Sequence, residues 1–126
     1  TAVVDAAIVT LKSKDIACRK LVTSHAFHSS MMEPMIDRFK TKIDQVKKTI
    51  PEASTRVIIS SVTGTQISNE RLASSSYWAN QVRYPVKYSQ ALEYLSESYQ
   101  DELVACVEIG PGDSLVKLLS RHSFAR

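Results

Sequence analysis

Two histidines three residues apart, His25 and His28, lie in the stretch Thr23-Ser24-His25-Ala26-Phe27-His28-Ser29-Ser30, which also holds one aromatic, four hydroxyls and no charge. Imidazole is the side chain that exchanges a proton nearest neutral pH. Three roles therefore suit the stretch: a metal clip, a structural loop held by its own hydroxyls, or the base of a catalytic site completed elsewhere. Zinc asks for three or four ligands. The third histidine, His122, lies in a distant segment with no carboxylate or thiol at matching spacing, and Cys18 and Cys106 form no CxxC pair, so no metal is expected. A loop histidine fixed by hydrogen bonds is the plain structural alternative. A base needs a nucleophile within reach. The sequence has no G-x-S-x-G elbow, and Ser60-Ser61 and Ser74-Ser75-Ser76 fall in strand or helix contexts rather than on a strained turn. If His28 acts as a base, the nucleophile comes from outside this chain.

The elements that would position this stretch follow from periodicity. Met32, Met35, Ile36, Phe39, Ile43, Val46 and Ile50 recur at three-and-four spacing, which predicts an amphipathic helix directly after it. Pro34 suits the first turn and Pro51 closes the far end. Ahead of the stretch, Ala2 to Val9 reads as a helix and Ile16 to Val22 as a strand. Farther on, Arg56 to Val62 and Thr65 to Ile67, joined at Thr63-Gly64, predict a hairpin. A helix runs from Ser68 or Asn69 through Leu72, Tyr77, Trp78 and Val82, breaks at Pro85, and resumes from Val86 to Tyr99. Val104 to Ile109 is nearly all apolar, as expected of a strand buried on both faces of a parallel sheet. Gly110-Pro111-Gly112 then turns the chain into a short helix with Leu115, Val116, Leu118 and Leu119, and Arg121 and His122 complement its end. This alternation predicts an α/β architecture. Gly110-Pro111-Gly112 lacks the lysine of a P-loop and the third glycine of a dinucleotide fingerprint, so it reads as a plain turn. Trp78, Tyr77 and Tyr84 read as packing rather than a stacking platform.

Composition sets outer bounds. The 126 residues, 44% apolar and 23% charged, suit one packed domain or a piece of one. The start at Thr1, inside a helical pattern and without Met, reads as a piece of something longer. No apolar run approaches a membrane span and no leader pattern is present, so no membrane is expected and the chain reads as cytoplasmic. The net charge of +3 is scattered, without the basic and aromatic clustering that grips a phosphate backbone, so no nucleic acid is expected. Both cysteines sit in apolar runs and are expected as free, buried thiols.

Taken together, "VTSHAFHSSMMEPMIDRF", "SSVTGTQI", "YWANQVRYPVKYSQALEYL" and "VEIGPGDSLVKLL" resemble, in order and spacing, the C-terminal part of polyketide synthase acyltransferase domains. More distantly they are similar to the malonyl-CoA:acyl-carrier-protein transacylase of fatty acid synthesis. The resemblance runs from about Val3 to Leu119. It implies part of a large α/β-hydrolase-like subdomain with an inserted ferredoxin-like small subdomain, whose last helix and strand would be residues 1–22, with 23–126 returning to the large one. It also implies an acyltransferase that moves an extender acyl group from CoA to the phosphopantetheine arm of an acyl carrier protein through a serine ester, with no bound cofactor. The family's GQG segment, GHSxG nucleophile and carboxylate-pairing arginine do not occur in these residues.

Residue by residue, the resemblance implies that His28 is the general base and that a backbone carbonyl at Gln81, four before the proline of R-x-P-V, orients it. His25, Ala26 and Phe27 would be substrate-binding, with His25 only a flank to the base. Phe27 would favour malonyl, because members using methylmalonyl carry YASH, with Ser in place of Phe. Partners implied are the missing N-terminal half, the carrier protein, malonyl-CoA, and the ketosynthase or linker regions of a megasynthase. Ser30, Ser61, Gln81 and Asp113-Ser114 depart from residues common in polyketide members. The rival to an enzyme is an inactive acyltransferase remnant serving as scaffold or docking element, with His28 a relic.

Overall fold

The helix expected first is α1, Ala2–Ser13. The computed structural model describes residues 2–46, 56–100 and 102–122. Segment 16–22, outside any helix, returns along α1 and is tied to it by an ion pair between Lys20 Nζ and Asp5 at 2.6 Å. Part-buried Cys18 turns its thiol toward the Ile8 carbonyl. No α1 residue is buried, and Val3 and Val9 are exposed.

The histidine stretch leads into a 3₁₀ turn, Ser30–Met32, and then α2, Glu33–Asp44. The Ser29 hydroxyl opens the turn by accepting the Met31 N–H at 3.3 Å and donating to the Ala26 carbonyl at 2.7 Å. Pro34 stands in the first turn of α2, where its missing N–H costs no helical bond. Met35, Ile36, Phe39 and Ile43 are half-buried while Asp37, Arg38 and Lys42 face water, as the periodicity predicts. Lys47, Lys48, Ile50 and Pro51 lie outside the described residues.

The expected hairpin is reduced to one antiparallel bridge, Ile59 to Gln66, flanked by Ser60 N–H to Thr65 O and Ile67 N–H to Ile58 O, both 2.9 Å. At its turn Gly64 has φ +76°, and a Cβ placed there would lie 2.6 Å from Cβ of Gln90. Gly64→Ala therefore meets both a left-handed backbone and a steric block, and should cost about 1–3 kcal/mol. A fall in the urea midpoint with an unchanged slope is the expected readout, and an unshifted midpoint would contradict it.

After the bridge, α3 (Asn69–Ala73) and α4 (Ser75–Arg83) replace the single helix expected from 69 to 82. Ser74 adopts extended backbone between them, and Trp78 Nε1 spans the break to donate to the Leu72 carbonyl at 2.8 Å. α4 packs against α2, α3 and the 3₁₀ turn, and its Ala79 is wholly buried. Pro85 ends α4, and α5 runs Tyr88–Ser98. Segment 102–109, which has no assigned helix or strand, leads through the glycine turn to α6, Ser114–Leu119. Glu108 accepts the Leu115 and Val116 N–H groups, each at 3.0 Å, while the Tyr88 hydroxyl donates to the Leu115 carbonyl at 2.9 Å. Burial, and then the charges of Cys106 and Glu108, push the Tyr88 phenol above its ordinary range.

Among the described residues the buried apolar side chains are Met32, Ile67, Ala79, Leu92 and Leu119, with Ser60 as a buried hydroxyl. Ser60 is satisfied by the Tyr77 hydroxyl at 3.1 Å and the Val62 N–H at 3.0 Å. Among the described residues, the sheet of the expected α/β arrangement is represented by the Ile59–Gln66 bridge alone. Segments 16–22 and 102–109 carry no assigned helix or strand, and no neighbouring strand pairs with them among the described residues. Val22 is 102% and Leu103 103% exposed, and Val107 and Ile109 are nearly as bare. The expectation of buried thiols fails at Cys106, which is exposed because it belongs to this uncovered segment.

Candidate active site around His28

The end of α4 dictates the site. A helix leaves its last carbonyls without partners, and the residue before a proline is driven out of helical backbone. Tyr84, ahead of Pro85, accordingly turns to extended geometry at φ −95°, ψ 156°. His28 takes up carbonyls at this helix end. Its backbone N–H donates to the Val82 carbonyl at 2.9 Å. Its ring Nδ1 lies 3.0 Å from the Tyr84 carbonyl.

A carbonyl only accepts, so this bond requires the proton on Nδ1 and leaves the Nε2 lone pair free. That is the tautomer a general base needs. His28 reaches both carbonyls with φ +62°, a left-handed backbone uncommon for residues other than glycine and costing about 1–3 kcal/mol. Surrounding structure must hold it there.

The expected carbonyl of Gln81 is not the ring's acceptor. Tyr84, three residues later and directly before the proline, provides it. The Gln81 side chain instead meets Ser61, whose Oγ lies 3.1 Å from Oε1 and 3.0 Å from Nε2. Ser61 also accepts the Lys87 N–H at 2.7 Å through its carbonyl, so the pair ties the hairpin turn to the segment around α4. Two positions that depart from the common family residues are thus in contact.

His25, Ala26 and Phe27 precede His28 directly. His25 Nδ1 pairs with Ser24 Oγ at 3.1 Å, and its ring lies 5.8 Å from that of Phe27 at a tilt of 57°. The Ala26 carbonyl receives the Ser29 hydroxyl. Phe27 is half exposed, an apolar ring adjacent in sequence to His28 and open to solvent. Among the described residues no group of three or more His, Cys, Asp or Glu side chains is arranged to hold a metal ion.

Three residues missed in the sequence complete the site: Val82, Tyr84 and Arg83. The signal for Tyr84 was Pro85, which drives the residue before it out of helical backbone, while Val82 is one of the last carbonyls of the helix that this proline ends. Arg83 carried no local signal, because its partner Glu33 is 50 residues away.

No protein-family model matches the sequence. A phenolphthiocerol/phthiocerol polyketide synthase from Mycobacterium tuberculosis is 28% identical over 112 residues, which is 89% of this chain and 7% of that protein. The acyl transferase domain of SpnD, solved in complex with 2-(pent-4-yn-1-yl)malonyl, superposes with a TM-score of 0.76 at 26% identity, over 93% of this chain and 27% of that one. Over most of its length the chain is thus similar to polyketide synthases, and its structural neighbours include acyltransferase domains of such synthases. Malonyl CoA-acyl carrier protein transacylase from Burkholderia pseudomallei is also similar, with TM-score 0.67, 27% identity, and coverage of 89% of this chain and 39% of that one. The chain spans about a quarter of the SpnD domain and under a tenth of the mycobacterial synthase. None of its helices is long and apolar enough to cross a membrane among the described residues.

Proposed function

We propose that this chain is the C-terminal part of a malonyl-type acyltransferase domain that carries an extender acyl group from CoA to an acyl carrier protein, with His28 as general base. The observation that carries the reading is the Nδ1 contact with Tyr84 O, which leaves Nε2 as the acceptor. A serine from outside these residues gives its proton to Nε2 as its oxygen bonds to the thioester carbon. The carbon–sulfur bond then breaks, and the CoA thiolate takes the proton back from Nε2. In the second half, the phosphopantetheine thiol loses its proton to Nε2 and attacks the ester, and the serine oxygen leaves with that proton. The Tyr84 carbonyl plays the orienting part that a carboxylate plays in other hydrolase-type triads.

The same reading accounts for the bare segments. Residues 102–109 and 56–59 would be strands of an α/β-hydrolase-like sheet whose neighbours and covering helices lie in the rest of the domain, the principal partner. Segment 1–22 would close the small ferredoxin-like subdomain and 23–126 would belong to the large one. Acyl carrier protein and the ketosynthase and linker regions of a cytoplasmic megasynthase would be the remaining partners.

The test is labelling with radioactive malonyl-CoA. The 126-residue chain alone should stay unlabelled, whereas its residues joined to the serine-bearing part of a homologous acyltransferase should form an ester at that serine and pass it to carrier protein. A joined protein that folds, yet neither acylates nor transfers, would overturn the proposal.

A further inference from the structure

His28 begins a short loop whose two ends are both fastened to the last turn of α4. At the near end are its backbone bond to Val82 at 2.9 Å and its ring contact with Tyr84 at 3.0 Å. At the far end Glu33, the first residue of α2, pairs through Oε1 with Arg83 Nε at 2.5 Å. Arg83 lies between the two residues whose carbonyls His28 uses. Its guanidinium carbon also stands 5.2 Å from the ring centroid of Tyr84.

We propose that the Glu33–Arg83 ion pair is a positioning device for His28, holding the loop closed so that the imidazole stays on the Tyr84 carbonyl in its Nδ1–H form. The catalytic meaning of this inference rests on the reading of His28 as base. An exposed ion pair adds little to stability, and Glu33 is more than half exposed, but Arg83 is only 23% exposed. The planar guanidinium fixes direction in a way that a lysine ammonium does not, because its Nε–H faces the carboxylate while its plane lies near the Tyr84 ring. What the pair supplies is geometry. A left-handed residue at φ +62° relaxes when its anchors go, and relaxation by a fraction of an ångström misplaces the proton acceptor.

The test begins with ¹⁵N-histidine spectra of the full chain, with His28 assigned by His28→Gln. In the parent protein His28 should show the Nδ1–H tautomer. In Glu33→Gln and Arg83→Lys, with unchanged circular dichroism, it should move toward the Nε2–H-dominated mixture of free imidazole. In the joined acyltransferase the same variants should lose kcat about tenfold to a hundredfold at unchanged KM. The swap Glu33→Arg with Arg83→Glu should recover part of the loss. A tautomer and kcat unaffected by either single variant would overturn the device while leaving His28 as base. A tautomer that shifts while His28→Ala keeps full transfer would leave the device standing as structure but remove its catalytic meaning, and the proposed function with it.

Discussion

In the joined acyltransferase, His28→Ala should slow malonyl transfer about a hundredfold to ten-thousandfold, the range expected when a positioned acid–base group is removed. In the proposed mechanism both half-reactions pass a proton through Nε2, so acylation by malonyl-CoA and release to the carrier thiol should slow together. Ala also removes the ring's bond to Tyr84, so a loss of structure has to be separated from a loss of chemistry. His28→Asn makes that separation. Asn tolerates a left-handed backbone, and its amide N–H can donate to the Tyr84 carbonyl in place of Nδ1–H. It presents no basic nitrogen. The Asn variant should therefore melt close to the parent and transfer as poorly as the Ala variant, as followed by thermal unfolding and carrier-protein loading. Transfer retained in both variants would remove His28 from the chemistry.

The second large effect concerns acyl choice. Phe27 directly precedes His28 in the chain, its ring lies 5.8 Å from that of His25, and half of its surface is open. A bulky wall next to the α-carbon of the bound acyl group leaves less room for a methyl branch. One methyl is worth about 1–3 kcal/mol in such discrimination, or roughly 10- to 200-fold. Phe27→Ser should thus lower the preference for malonyl over methylmalonyl by up to that factor, chiefly by raising kcat/KM for the branched substrate. Competition between the two CoA esters, read by mass of the acylated carrier protein, measures the ratio directly. A ratio unchanged in Phe27→Ser would place the selective wall elsewhere.

The helix after the histidine stretch was legible because its pattern is local: Met35, Ile36, Phe39 and Ile43 lie on one face whatever packs against it. The break at Ser74 was not, although three consecutive serines are good helix openers and the tryptophan that bridges the break is visible at 78. Apolar spacing runs straight through such a break, so periodicity alone joins α3 to α4. The runs at 16–22 and 104–109 were read as strands, and among the described residues neither forms a ladder. Their ladders depend on neighbours that local patterning does not contain. At the site, His28 was identified through resemblance and its surroundings through position counting, which named Gln81. The backbone rule at Pro85, applied first, points to Tyr84.

The positive φ of His28 bears on how replaceable this residue is. Asn, Asp and His are the side chains that accept such a backbone most readily after glycine, and of these only imidazole exchanges protons near neutrality. Conformation and acid–base chemistry thus filter for the same residue. An engineer seeking a substitute base here, whether lysine, tyrosine or glutamate, would have to rebuild the main chain before the new group could work.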